Sequence, residues 1–269
     1  YFRVVDGDDW VDTDNLIKLV DSLETCDEDI VVTDYSEFHH ATYSKIRRNY
    51  FIRMVENIPY TVDDMCLDDY GFLSFGPVMA TSCYKLQMLR SVDTSLREKC
   101  FYVDMQLNTQ VILAAKTIKY FNLDIYRYYI GRTNQSISKN GFIKNRYDHE
   151  AVILTLISLI NDKKYSCTNK RDFIIKRYIV PMINVQYLIL FEFMKSSHEF
   201  MAFDKKLRIH HEFYAHNSVS TMKIRFLRTT RALILYFPSL MGIVKNAYKL
   251  LKFMLPANTP EDSKTLNEK

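Results

Sequence analysis

Strand-like apolar runs alternate with segments of helical period over the first half of this chain, and that alternation restricts it to a layered α/β architecture. Residues 29–34 read Asp-Ile-Val-Val-Thr-Asp, a short continuous apolar run of the kind a sheet buries on both faces. Residues 1–5 (Tyr-Phe-Arg-Val-Val) and the aromatic-rich residues 123–130 are two further expected strands. Between the first two strands, Leu16, Ile17, Val20 and Leu23 mark one expected helix face, with N-cap chemistry supplied by Asp12-Thr13-Asp14. Leu107, Val111, Ile112, Ala115 and Ile118 recur at helical spacing further on.

The second half reads differently. Residues 151–160 are almost uninterruptedly apolar, residues 171–200 form a long helical pattern that Pro181 should kink or split, and residues 222–255 form a third. The polar tail beyond Pro256 is expected to be disordered. Charge changes at the same place: residues 1–140 hold 15 Lys and Arg against 21 Asp and Glu, and residues 141–269 hold 21 against 11. Two functional parts are therefore expected, 1–140 and 141–269.

With 269 residues and 48% hydrophobic composition the chain can build a substantial core, and six Gly and six Pro are too few for an all-β protein of many tight turns. Its five cysteines are odd in number and lack C-x-x-C spacing, which argues against a disulfide framework or a zinc site and for a reducing compartment. The pairs His39-His40 and His210-His211 put adjacent side chains in different directions, which disfavours joint metal ligation. The longest uncharged runs, 178–191 and 232–244, fall short of the roughly 18 residues that span a bilayer. The chain opens at Tyr1 without Met and inside a β-like run, so an upstream segment is expected.

The sharpest chemical signal is Val4-Val5-Asp6-Gly7-Asp8-Asp9-Trp10. An apolar strand here delivers three carboxylates to a strand end, where open α/β sheets bind ligands. Asp6 and Asp8, one small residue apart, can both face one hard divalent cation, which needs oxygen ligands and leaves room for phosphate. Taken alone, the same acids serve equally as loop or helix-cap chemistry.

The pattern resembles the family 2 glycosyltransferases, in which a strand ends in a D-x-D-D-W-like motif, as in Asp6-Gly7-Asp8-Asp9-Trp10. Downstream that family carries a carboxylate at a helix start, usually written Glu-Asp; here the segment is Phe101-Tyr102-Val103-Asp104-Met105-Gln106, with Val103 in place of the Glu. A Tyr-rich strand and an Arg–Ser loop follow in the family, and Tyr126-Arg127-Tyr128-Tyr129-Ile130-Gly131-Arg132-Thr133-Asn134-Gln135-Ser136 is similar.

The resemblance spans roughly residues 1–140 and implies an A-type glycosyltransferase (Rossmann-like) core whose nucleotide-base-binding part would precede Tyr1, followed by a helical extension. A fragment of that kind would be inactive on its own. The resemblance further implies an inverting enzyme that moves a sugar from a nucleotide-diphosphate donor to a cell-surface glycan or lipid-linked acceptor. In it Asp6 and Asp8 hold Mn or Mg, Asp104 is the catalytic base, and Asp6, Asp8, Asp9, Arg132, Gln135 and Ser136 bind the donor. Without the resemblance, Asp104 reads as an ordinary acid stabilised by a helix dipole.

Two other classes compete. Asp-rich strand ends also serve metal-dependent nucleotidyl and phosphoryl transferases, and the basic second half suits a non-catalytic interaction module. Between residues 222 and 255 lie Lys223, Arg225, Arg228, Arg231, Lys245, Lys249 and Lys252, without an acid and interleaved with Leu227, Leu233, Leu250 and Phe253. Such a helix either lies on anionic lipid at the cytoplasmic membrane face or packs on the core with its basic side in water. Nucleic acid is not an expected partner, since the first half is acidic and no base-reading module is visible.

Overall fold

The computed structural model describes residues 1–67, 76–92, 95–131, 136, 138–162, 168–194, 197–216, 219, 224–226, 228–230 and 246. Its strands are β1 (Trp10–Val11), β2 (Ile30–His39), β3 (Lys45–Arg48), β4 (Pro59–Thr61), β5 (Ser82–Tyr84) and β6 (Thr117–Ile130). Its helices are α1 (Thr13–Leu23), α2 (Val62–Met65), α3 (Leu86–Arg90), α4 (Val103–Ala114), α5 (Lys139–Lys144), α6 (Arg146–Ile160), α7 (Asn169–Ile174), α8 (Val180–Leu188), α9 (Ser197–Ile209) and α10 (His211–Ala215). The architecture is mixed α/β.

One six-stranded sheet organises the first part. Its centre is the parallel pair β2–β6, in register from Ile30↔Ile118 to His39↔Ile130. All flanking strands run antiparallel: β1 and β4 on the outer edge of β6, β3 and β5 on the outer edge of β2. Ile30, Val31 and Val32 are fully buried, as the apolar run 29–34 predicts. That strand continues to His39, past the expected end, because β3 gives its polar second half a hairpin partner.

Residues 1–5 do not form the expected strand. Phe2 makes only a bridge to Tyr84, with two backbone hydrogen bonds of 2.8 Å, and regular pairing resumes at β1. The chain therefore crosses from β5 to β6 between two anchors, Phe2–Tyr84 and Trp10–Arg127, and the three acids ride on that crossing, ahead of a strand.

Asp12 caps α1 by accepting the Asn15 N–H at 3.0 Å, as expected. The inward face of α1 is rotated from the expected one. Leu16, Leu19 and Leu23 pack on Val31, Phe121 and Ile125, leaving Ile17 and Val20 exposed. A stripe at i, i+3 and i+7 fits a sheet as well as the predicted one does, and contact with the bulged part of β6 selects it.

Where β6 carries extra residues opposite Thr33, Asp34 and Tyr35, the sheet buries charge. Asp34 accepts from Arg47 and Tyr120, and Asp124 accepts from Ser36 at 2.8 Å and from Arg127 at 2.8 Å. Arg127 also bonds Asp12 at 2.8 Å, which ties the α1 cap to β6. Burial raises the Asp34 carboxyl pKa against the lowering effect of Arg47 and Tyr120.

The chain divides into two compact units, Tyr1–Ile183 and Asn184–Lys269. The boundary falls within α8, well beyond the change in composition at residue 140, because α6 and α7 pack on α4 inside the first unit. The helix passes through Pro181 unbroken. A π turn over Ile175–Ile179 precedes it, with Val180 N–H bonded to the Ile175 carbonyl, and this wider turn accommodates the residue that lacks an N–H. The run Asn169–Phe191 is long and apolar enough to cross a membrane by length and composition, exceeding the uncharged run 178–191 because it includes the charged residues between Lys170 and Arg177. Within its most apolar stretch 67% is buried, the pattern of a core helix.

In the second unit Asp204 is buried between Tyr187 (2.8 Å) and Arg228 (2.7 Å), and the Arg228 guanidinium lies 3.7 Å from the centre of the Tyr214 ring. Arg228, one of the basic residues of 222–255, is thus drawn into the interior, while Arg225 is exposed. Most of 222–255, and the polar tail, lie outside the described residues.

Candidate active site

Asp6, Asp8 and Asp9 each offer a carboxylate oxygen within 4.8 Å of the others. Asp6 and Asp8 are exposed and Asp9 is half-buried. A turn, Asp9 N–H to the Asp6 carbonyl at 3.0 Å, folds the acids toward one another. The alternation of β6 then fixes the loop. Tyr126 donates its hydroxyl to Asp9 Oδ2 at 2.6 Å and accepts the Asp6 N–H at 3.2 Å, while the Tyr129 N–H donates to Asp9 Oδ1 at 2.9 Å. Asp9 therefore anchors the loop, and burial, with the neighbouring Asp6 charge adding, raises its pKa despite those two donors.

Asp104 lies in the first turn of α4 and keeps part of its surface in solvent. Tyr102, immediately before the helix, adopts a left-handed conformation (φ 65°) that a tyrosine rarely takes. It is held there by stacking on Phe142 (centroids 5.7 Å apart), by an edge contact with His149, and by a 2.9 Å bond from its hydroxyl to the Ser136 carbonyl. The start of α4 is thus braced from the segment that carries Ser136. The pKa of Asp104 is raised, first by burial and further by the negative charge of Asp6, although backbone N–H groups at the helix start oppose the shift.

Tyr128 lies on the same strand as the side chain that clamps the acidic loop. It follows Tyr126 by two residues on β6 and so projects from the same face. Burial, with Asp9, Asp104, Asp6 and Glu37 adding in that order, pushes its hydroxyl up to about 12, so it remains a proton donor near neutral pH.

The structure thus brings together Asp6, Asp8 and Asp9, and sets the Ser136 backbone against the start of α4, where Asp104 sits. Arg132 and Gln135 lie outside the described residues. Sequence reasoning gave no role to Tyr102, Tyr126 or Tyr128; the period-two spacing of Tyr126 and Tyr128 was the available signal for the latter two. Fold and site together define a mixed α/β protein with an acidic, oxygen-only cluster and a partly exposed carboxylate at a helix start. No protein-family model matches the chain, and no curated protein matches it.

Proposed function

We propose that the chain is the catalytic core of a metal-dependent, inverting glycosyltransferase of the A-type fold, moving a sugar from a nucleotide-diphosphate donor to a cell-surface glycan or lipid-linked acceptor. The observation that carries this reading is the Asp6-Asp8-Asp9 cluster, whose carboxylate oxygens lie within 4.8 Å of one another.

The donor set fits a hard divalent cation, Mn or Mg: oxygen ligands only, mutually close, with Asp6 and Asp8 open to solvent. Asp6 and Asp8 would hold the ion, which would supply Lewis-acid stabilisation of the departing diphosphate. Asp9, bound by Tyr126 and Tyr129, keeps the loop in shape. Asp104 takes the proton of the attacking acceptor hydroxyl as the new glycosidic bond forms and the bond to the diphosphate breaks, its electron pair leaving with the phosphate. A raised carboxyl pKa suits that duty, since it brings the base closer to the operating pH. A single displacement inverts the anomeric centre. Arg132, Gln135 and Ser136 would add positive charge and hydrogen bonds to the diphosphate.

The test is release of nucleoside diphosphate from a panel of UDP- and GDP-sugars by the full-length protein with Mn or Mg. Release that stops with excess chelator supports the reading. Release of pyrophosphate, or none from any donor, overturns it.

A further inference from the structure

One face of the sheet carries a row of aromatic rings that stays open to solvent. Trp10 of β1 is paired with Arg127, and Phe38 of β2 with Tyr129. Arg127 and Tyr129 alternate along β6 with Tyr126 and Tyr128, so this face is the opposite one. The Trp10 ring lies 5.1 Å from Phe38 and 6.0 Å from Tyr129, centroid to centroid. His40 continues the row, 5.5 Å from Tyr129 and bonded to its hydroxyl through Nδ1. Tyr43, in the connection between β2 and β3, follows at 6.5 Å from His40. Trp10 is 41% and Tyr43 81% exposed, while Phe38 and Tyr129 are half-buried. The row adjoins the acidic loop through the backbone, since Trp10 follows Asp9 and the Tyr129 N–H donates to Asp9 Oδ1 at 2.9 Å.

A contiguous exposed patch of this kind marks a binding surface, where a single exposed ring would not. Its geometry excludes one occupant: rings 5.1 and 6.0 Å apart touch each other and leave no gap for a quaternary ammonium between their faces. Its charges exclude two more. Carboxylates flank Trp10 in the chain, with Asp6 and Asp8 exposed and Asp12 partly so, and they repel anionic lipid and nucleic acid. Charges of both signs border the rings. Lys45, paired in register with Phe38, bonds Asp124 at 3.0 Å, and Arg127 joins Asp124 to Asp12 at 2.8 Å each. A neutral sugar complements both features. The C–H groups on one face of a pyranose meet the negative face of an aromatic ring, and its hydroxyls both donate and accept at the rim. A row of rings, and not a single one, fits an oligosaccharide.

We propose that Trp10, Phe38, Tyr129 and Tyr43 form a stacking platform for the sugar rings of a neutral oligosaccharide, with Lys45 and Asp12 bonding its hydroxyls at the rim. Its role as the seat of the acceptor glycan rests on the glycosyltransferase reading, to which the platform adds a place on the chain next to the metal loop.

Saturation-transfer NMR on the full-length protein with maltotetraose, cellotetraose, chitotetraose and mannotetraose reads the platform without turnover. Calorimetry of UDP and GDP binding with Mn reads the donor site separately. At least one oligosaccharide should bind, and more tightly than its monosaccharide. Trp10→Ala should weaken it about 10-fold or more, the size of a lost stacking contact, and Tyr43→Ala, at an exposed position, about 3-fold. Trp10→Phe, which keeps a ring, should recover part of the binding; a ring that serves only packing would not make saccharide binding follow its shape. Should Trp10→Ala fail to fold, Trp10→Phe and Tyr43→Ala still decide. Nucleotide binding with no oligosaccharide signal, or with a signal indifferent to positions 10 and 43, overturns the platform alone. So does Trp10-dependent capture of a polyproline peptide or of phosphatidylserine vesicles in place of saccharide. Oligosaccharide binding without nucleotide binding leaves the platform standing and overturns the glycosyltransferase reading; absence of both overturns both.

Discussion

The Tyr126 hydroxyl donates to Asp9 Oδ2 across 2.6 Å while accepting the backbone N–H of Asp6. One side chain of the central sheet thus fixes both ends of the acidic loop, and the cluster owes its shape to β6. Tyr126→Phe should leave the fold intact, since the ring stays packed, and weaken Mn binding about 10- to 100-fold, the usual cost of losing an outer partner of a metal site. Titration of Mn-dependent nucleotide release measures it, and an unchanged Mn requirement would count against the anchoring role.

Asp8→Asn removes ligand charge from an exposed position without touching the core. Turnover should fall at least about 100-fold, with little change in thermal midpoint. Normal turnover in this variant would refute the metal site.

Asp104→Asn should lower turnover by about 10² to 10⁴, the range for a general base, with donor affinity nearly unchanged. Its effect on stability has the opposite sign. The folded-state pKa of Asp104 is raised, so the folded protein holds a proton that the unfolded chain releases, and stability falls as pH rises from the unfolded to the folded value. At pH 7, in chelator, the Asn variant should unfold at the same or a higher temperature than wild type. The acid limb of the wild-type rate profile should lie above the ordinary carboxylate range near 3.9. A variant both inactive and strongly destabilised would mark Asp104 as a structural acid.

Arg228→Met strands the buried Asp204 carboxylate and the Tyr187 hydroxyl without their cation, and should cost about 3–5 kcal/mol. Pairing it with Asp204→Leu should recover much of that. Urea unfolding of the single and double variants checks it; an additive double variant would show that the two residues do not depend on one another.

Residues 222–255 are proposed to bind anionic lipid, and Arg228, buried against Asp204, takes no part in that contact. Co-sedimentation with phosphatidylserine vesicles should occur at low salt, weaken with salt and vanish when the segment is deleted. A protein that ignores such vesicles at low salt uses the segment for packing alone.

Some features were legible because they are local. The buried run Ile30–Val32 is a property of consecutive side chains, the Asp12 cap needs only the next three residues, and Leu107, Val111 and Ile112 fall in α4, whereas Ile118, expected in the same helical pattern, lies on β6. The acids at 6, 8 and 9 were visible for the same reason. Two expectations failed where partners decided. Residues 1–5 have strand composition, but Phe2 finds only Tyr84 to pair with. The α1 stripe turned to meet the bulged stretch of β6. Pro181 follows a π turn whose extra residue no periodicity announces.

The sequence by itself determined which stretches could be strand, helix or cap, and which side chains carried chemistry worth testing. Those preferences act over a few residues and survive in any fold that buries the apolar faces. Only tertiary structure decided that Tyr126 clamps the acidic loop and that Glu37 and Arg48 lie on the same face of the sheet as Tyr126 and Tyr128. Each of these depends on the register of β2 against β6 and on the residues bulged out of it. Register is set by the summed packing of the whole sheet, so no single segment of the chain encodes it.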